Sequence, residues 1–419
     1  ITSYSRLIDL DGPNETAAHI DDIREILDTG GVAAEFGLEK LREVTEAHPQ
    51  KAVNHVEAAL PYINDDELST RITALNITHT VLLRAPRQLV DEIDLFINII
   101  ENRDLVSSFA AAAHILLLAR YDTDPVVEVI EDLVTAIGSV PPQLQHPLES
   151  AIRIVALDHP EVVAPHLREL IQNIRPGLQR DISEIGLANS LLEGENNRPD
   201  IPDVTKVTKY MPDYDMYESP VELHLSAIMT TSRVISRDPT VFDQIQAVIK
   251  SLMQSEVEAE RLFATKLLRS TALGTPEAVL PMLEIVTNYI TEDTNTDILE
   301  GLVTCVWLVA KEYPQPIAPY SSELSEASRM WLDSPEIPAS EMTFENLLYA
   351  LAALVDLLDR TEYPDARTVL EMAQYSEEPK PALVILSHTA SQRRSQFVEE
   401  RAEIHELLAR SSWDEARVH

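Results

Sequence analysis

Glycine is scarce in this chain, at 10 of 419 residues, and Cys305 is its single cysteine. Ten glycines are about a third of the usual share of about 7%, so loops that bring backbone close to phosphates have little to be made of. No phosphate-binding glycine loop, dinucleotide fingerprint or Gly-x-Ser-x-Gly elbow occurs. A lone cysteine excludes an intrachain disulfide and a cysteine-built metal centre. Set within Leu302-Val303-Thr304-Cys305-Val306-Trp307-Leu308-Val309, it reads as a small buried hydrophobe. Long apolar runs are missing too. Ala110 to Ala119 and Leu347 to Val355 reach about half of the 18 or more residues of a membrane span, and His114 interrupts the first. No span is expected. The chain begins at Ile1 and not at a methionine, which leaves a preceding segment open.

Basic charge is the next shortage. Eight lysines and 25 arginines stand against 70 Asp and Glu, a formal charge of −37. The acids are spread along the whole chain, and 45% of the residues are hydrophobic, so the acidity belongs to a folded surface and not to a disordered tail. The combination resembles proteins of salt-in halophilic archaea. Carboxylates there hold water and cations while molar salt screens their repulsion, the Debye length being about 3 Å at 1 M. That resemblance implies a cytoplasmic location.

Leu, Ala, Ile, Val and Glu dominate, which favours helix interiors and an all-α class. One pattern recurs: an apolar helical stretch, a short break ending in proline, and a second, amphipathic stretch. Pro49, Pro86, Pro125, Pro160, Pro239, Pro276, Pro314 and Pro364 mark the breaks, at intervals of about 38 residues. The wide gap from Pro160 to Pro239 divides evenly if Pro199 counts as a break. In the second stretches Val53, Val56, Leu60 and Ile63, then Val163, Leu167, Leu170 and Ile174, then Val279, Leu283, Val286 and Ile290 form one buried stripe each. Proline suits the first turn of these helices, with Asp124 and Asp238 as N-caps. First stretches such as Phe109 to Leu118 are apolar all round and read as sandwiched between neighbours.

The segment Ala151 to Leu170, with its break at Asp158-His159-Pro160, resembles a HEAT-type repeat, and the likeness extends over roughly residues 33 to 375. It implies a right-handed α-solenoid of about eight or nine antiparallel helical hairpins, near to the armadillo type. The expected organisation is a capping helix in 1–32, a first array at 33–193, an irregular stretch at 194–220, a second array at 221–375, and a capping helix with tail at 376–419. Within the fifth unit Ile182 to Leu192 reads as a first helix, and Pro199, Pro202, Pro212 and Pro220 break the helix that should follow. Ser334 to Ser340 reads as a surface turn before a helix from Phe344 to Leu358.

Chemistry is thinly represented. His48 and His55, like His159 and His166, are seven apart, but no metalloprotease-type carboxylate spacing accompanies them, and they read as turn residues duplicated with the repeat. Paired acids such as Asp65-Asp66 read as solvated surface. Trp307, Trp331 and Trp413 make no common cradle of the kind HEAT-like DNA glycosylases use. No catalytic residue, cofactor or metal is assigned. Asn98, Asn173 and Asn288 recur about 12 residues after their prolines, at positions that are small because helices approach closely or that bond an extended peptide. Tyr210, Met211, Tyr214, Met216 and Tyr217 form an apolar, hydrogen-bonding cluster of the kind enriched at interfaces. The expected function is a non-catalytic scaffold or adaptor with a protein partner or a second copy, bound at these residues, through the 194–220 loop and along a concave face lined by the second helices. Nucleic-acid association, as a chromosome-organising subunit or a glycosylase-like enzyme, is the alternative, disfavoured because no basic stripe is present.

Overall fold

The computed structural model describes residues 12–180, 219–292, 295–333, 340–358, 364–390 and 400–410. These are helical throughout, with no strand among the described residues. The helices are α1 (Ile20–Leu27), α2 (Gly31–Ala47), α3 (Leu68–Leu82), α4 (Ile93–Asn102), α5 (Leu105–Tyr121), α6 (Ile130–Ser139), α7 (Pro142–Asp158), α8 (Leu167–Leu178) and α9 (Leu225–Arg237). They continue with α10 (Phe242–Met253), α11 (Glu258–Gly274), α12 (Leu283–Glu292), α13 (Thr296–Glu312), α14 (Ser321–Asp333), α15 (Glu341–Ala353), α16 (Ala366–Gln374), α17 (Lys380–Ala390) and α18 (Arg401–Arg410). Short turns precede most second helices. Gly30 and Gly31 open α2 at φ 72° and 61°, the left-handed region that glycine enters freely.

Two compact units are defined, Ile1–Thr230 and Thr231–His419. In the first, α2, α3, α5 and α7 stack in one layer, while α4, α6 and α8 form the second. In the second unit α11, α13, α15 and α17 stack likewise beside α12, α14 and α16. The first helices are sandwiched, as their composition requires. From Val106 to Leu116 every residue of α5 is buried, and Ile72, Leu75 and Ile77 of α3 are wholly so.

The repeat corner has one geometry. His48, Ala85, His159, Thr275 and Tyr313 each precede a proline and sit at φ between −126° and −152° with ψ 56° to 72°. A proline bars its predecessor from the α region, so the first helix must stop there. The N–H of each of these five residues still donates to the carbonyl four residues back at 2.7 Å, so the helix closes before the chain turns. Proline then takes the first position of the next turn, where no N–H is needed.

The second stretches are less uniform than their stripes suggest. Pro165, Pro281 and Pro319 each fall in a three-residue 3-10 turn between the first turn and the α-helix proper. A second proline removes one more N–H, and the ladder tightens locally. The stretch after Pro49 is 3-10 over Val53–Ala58 and Leu60–Asn64 instead of α, with Val56 and Ile63 fully buried. The stripes of α8 and α12 are inside as expected, with Leu170, Ile174, Val286 and Ile290 all at 0% exposure.

Two boundary details differ from expectation. Asp238 caps by accepting the Thr240 N–H at 3.0 Å, but Asp124 lies inside its helix, and Asp122 accepts the Asp124 N–H instead. The helix expected at Phe344 to Leu358 begins at Glu341, capped by Ser340, and ends at Ala353. The passage from the fourth pair to the fifth shows an unexpected set of contacts. α7 touches residues 223–229 directly, through His146 to Leu223, Glu149 to His224, Ser150 to Ser226 and Arg153 to Met229. Among the described residues α7 thus packs directly against the segment that opens α9, while Ile182 to Leu192 lies outside the described residues. Eight pairs of first and second elements can be followed among the described residues.

Candidate partner-binding surface

Consecutive first helices are tied at their starts. The Arg71 guanidinium, buried in the first turn of α3, donates to the Asp65 and Asp66 carbonyls at 2.6 and 2.9 Å and to Asp104 at 2.5 Å. Asp104 is the N-cap of α5 and accepts the Ser107 N–H. In the second unit Arg261 repeats the first half of this arrangement, donating to the Ser255 and Glu256 carbonyls. The α13 cap Asn295 donates to Glu258, and the α15 cap Ser340 to Glu300. These ties consume polar groups for stacking and leave the second-helix faces as open surface.

Those faces are acidic. In the first unit the exposed positions of α4, α6 and α8 include Asp94, Glu101, Glu131, Asp132 and Glu169, against Arg168. Arg103, at the end of α4, is taken up by Asp66 at 3.2 Å and by the Asn64 carbonyl at 2.5 Å. In the second unit Asp243, Glu284 and Glu326 are exposed on α10, α12 and α14 beside Lys250, and Arg329 reaches Asp365 at 3.4 Å.

The recurrent asparagines lie on this layer in different settings. Asn98 is exposed on α4, and its side-chain oxygen accepts from Asn64 at 3.2 Å. Asn173 on α8 is half-buried and donates to the Val134 carbonyl of α6 at 2.8 Å. Gly138 makes room for it, since a Cβ there would stand 2.8 Å from the Asn173 side chain. Asn288 is exposed on α12, its carbonyl accepting from Thr291. Close approach and side-chain bonding thus coincide at Asn173. Tyr210, Met211, Tyr214, Met216 and Tyr217 lie outside the described residues.

Cys305 and His114 are enclosed. Burial pushes the Cys305 thiol up to about 12, which keeps it protonated. His114 is wholly buried and held neutral, its pKa pushed down to about 4 by burial. Its Nδ1 donates to the Ala110 carbonyl, and Nε2 faces the Thr78 hydroxyl at 3.0 Å. His48 goes to Asn14 and His159 to Asp124, so neither histidine pair converges on a common point. Among the described residues no three His, Cys, Asp or Glu side chains could share a metal ion, and no helix is long and apolar enough to cross a membrane.

The sequence reading did not find one cluster. Glu149 and His224, 0% and 1% exposed, meet at 2.6 Å, with Gln145 one turn before Glu149 on α7. The signal was a Gln and a Glu four residues apart on the face that Leu144, Leu148 and Ile152 bury.

No family model matches this chain, and no curated protein does. Solved structures do. A mutant of Kap121p aligns with TM-score 0.52 at 14% identity, over 92% of this chain and 38% of its own length. The karyopherin Kap121p bound to the SUMO protease Ulp1p aligns with TM-score 0.47 at 11% identity, over 93% of this chain and 43% of its own. The chain therefore spans about two fifths of these structures. At such identities the likeness bears on fold alone, and with the stacked pairs it identifies an all-α, HEAT-like solenoid.

Proposed function

We infer that the chain is a non-catalytic protein-binding scaffold or adaptor. Its partner docks on the exposed second-helix faces, at Asn98, Asn173 and Asn288, and on the 194–220 stretch with Tyr210, Met211, Tyr214, Met216 and Tyr217. The observation that carries this reading is that the second helices among the described residues turn their apolar stripes inward and expose acids such as Asp94, Glu131, Asp132, Asp243 and Glu284. Such a face suits a partner segment bearing Lys or Arg and repels a phosphate backbone, which speaks against the nucleic-acid alternative. The arrays expected at 33–193 and 221–375, with a cap at each terminus, carry these faces. The acidic, lysine-poor composition supports a setting in the salt-rich cytoplasm of a halophilic archaeon.

Purification of the tagged chain from such cells at native salt tests the reading. Two variants are compared with the native chain: Glu131→Lys with Asp132→Lys on α6, and Tyr210→Ala with Tyr214→Ala and Tyr217→Ala. Loss of one and the same co-purifying protein from both, with melts unchanged, is the expected result. A protein retained equally by all three chains, or a nucleic acid co-purifying, would overturn it.

A further inference from the structure

Ties between successive first helices in the first unit join residues about one repeat apart: Arg71 to Asp104 at 33, Thr78 to His114 at 36. Between α7 and the segment that opens α9 the separation doubles, and beyond it returns to about one repeat, Asn295 to Glu258 at 37 and Ser340 to Glu300 at 40. His146 meets Leu223 at 77, Glu149 meets His224 at 75, Ser150 meets Ser226 at 76 and Arg153 meets Met229 at 76. The contacts advance in step along both segments, so α9 is the helix that follows α7. The sequence holds a nearer candidate for that place, because the repeat period and its apolar residues point to Ile182 to Leu192. Something must select the distant segment over the near one.

We propose that the buried Glu149–His224 pair is the selector, fixing which segment of the chain docks on α7 and in what register. A carboxylate at 0% exposure demands a donor, and alone in apolar surroundings it is strongly disfavoured. Residues 182–192 contain no Lys, Arg or His, so docking them on α7 would bury Glu149 without a cationic or imidazole partner. His224 brings that partner, with Nδ1 2.6 Å from the carboxylate. Register is set by the surroundings. His146 Nδ1 donates to the Leu223 carbonyl at 3.1 Å, and the Ser150 and Ser226 hydroxyls meet at 3.2 Å. Gly177 of α8 admits the cluster from the other side, since a Cβ there would lie 2.9 Å from both His224 Nε2 and Gln145 Oε1. His224 sits in the turn that leads into α9, and sliding α9 by one residue would rotate its face by about 100°, part Ser226 from Ser150 and draw the imidazole out of line with Glu149. An apolar pair of similar volume would bury comparable area yet accept either segment, which is the sense in which a buried polar pair confers specificity.

The test uses the full chain with Ser150→Cys and Ser226→Cys, whose hydroxyls stand 3.2 Å apart and which can cross-link only when α9 occupies this register. The disulfide fraction under mild oxidant is read beside helical circular dichroism and the melt. Near-complete cross-linking is expected in the otherwise native chain, and also with Glu149→Gln and His224→Gln, which keep a hydrogen-bonded pair. With Glu149→Leu and His224→Leu the helical melt should persist while the cross-linked fraction falls about twofold or more, as selection relaxes. Adding Ile182→Asp and Ile185→Asp, which cripple the competitor, should restore it. An undiminished fraction in the leucine variant, a loss that the aspartates do not reverse, or disappearance of the cooperative melt would each overturn the proposal. In the last case the pair would hold the fold together without choosing a segment.

Discussion

Arg71 of α3 and Asp104, the N-cap of α5, meet at 2.5 Å, so the start of one first helix is fastened to the start of the next. The same carboxylate accepts the Ser107 N–H and hydroxyl. Burial pushes the Asp104 pKa up, but the Ser107 bonds and the Arg71 guanidinium outweigh it, and the net direction is downward. A depressed carboxylate stabilises the fold above its unfolded value of about 3.9 and loses that contribution as pH falls through the folded value. Asp104→Ala should therefore lower stability at pH 7 by about 1–2 kcal/mol, the worth of a cap. Asp104→Asn keeps the cap and should lose less. In denaturant melts both deficits should shrink towards pH 2; a deficit independent of pH would mean that the charge contributes nothing.

How far the sequence foretells this architecture is visible at the same corners. Proline after an extended residue stops a helix by sterics alone, so the period was legible from Pro49 to Pro314. The all-apolar run around Ala110 likewise announced a sandwiched helix. The 3-10 turns at Pro165, Pro281 and Pro319 were not read, because a buried stripe such as Val163, Leu167 and Leu170 tolerates a local tightening without changing its face. The passage from α7 to α9 was hidden for a different reason: the gap to Pro239 spans two periods, and the contacts of Glu149 with His224 and Ser150 with Ser226 join residues 75 and 76 apart, which no repeat spacing announces. At the candidate surface, recurrence singled out Asn98, Asn173 and Asn288. Their partners differ because they depend on how closely neighbouring second helices approach, which no spacing encodes.

His114 makes a second pH dependence. Nδ1 donates to the Ala110 carbonyl, and the ring lies against Phe96, with centroids 4.9 Å apart. Burial lowers its pKa to about 4, against the opposing pull of the Ala110 and Leu75 carbonyls. Between there and the unfolded value of about 6.5, the unfolded chain takes up a proton that the folded chain excludes. Stability should accordingly be full above about pH 6.5 and fall by up to about 3 kcal/mol on approach to pH 4. His114→Gln should be less stable at pH 7.5 yet flatter between pH 7 and 4. Equal slopes for the two chains would show that His114 is protonated without penalty.

Nearest-neighbour stacking implies that damage stays local. Leu283, 3% exposed at the start of α12, packs within the second unit, and α12 adjoins α13 and α14. Leu283→Ala should cost about 2–5 kcal/mol and raise amide exchange first in α12, α13 and α14. Exchange in α3 and α5 should remain as it was. A uniform acceleration over the whole chain would indicate one cooperative core in place of a stack.

The surface charge gives the widest test. With 70 carboxylate side chains against 33 Lys and Arg, the formal charge of −37 must be held on a surface whose second-helix faces carry Asp94, Glu101, Glu131, Asp132 and Glu169 against a single exposed Arg168 among the described residues of α4, α6 and α8. At about 0.1 M salt the Debye length is about 10 Å, roughly the spacing of adjacent helices, so carboxylates on neighbouring repeats feel each other. At about 1 M it shrinks to about 3 Å and that repulsion is screened. The helical melt should move to higher temperature as KCl is raised from about 0.1 to 2 M, and replacing Glu131 and Asp132 by glutamine should lessen the shift. Sodium sulfate also strengthens apolar burial, so KCl is the salt that isolates screening. A melting temperature unchanged across that range would mean that the acids are already balanced locally, and the inference of a salt-rich habitat would fall with it.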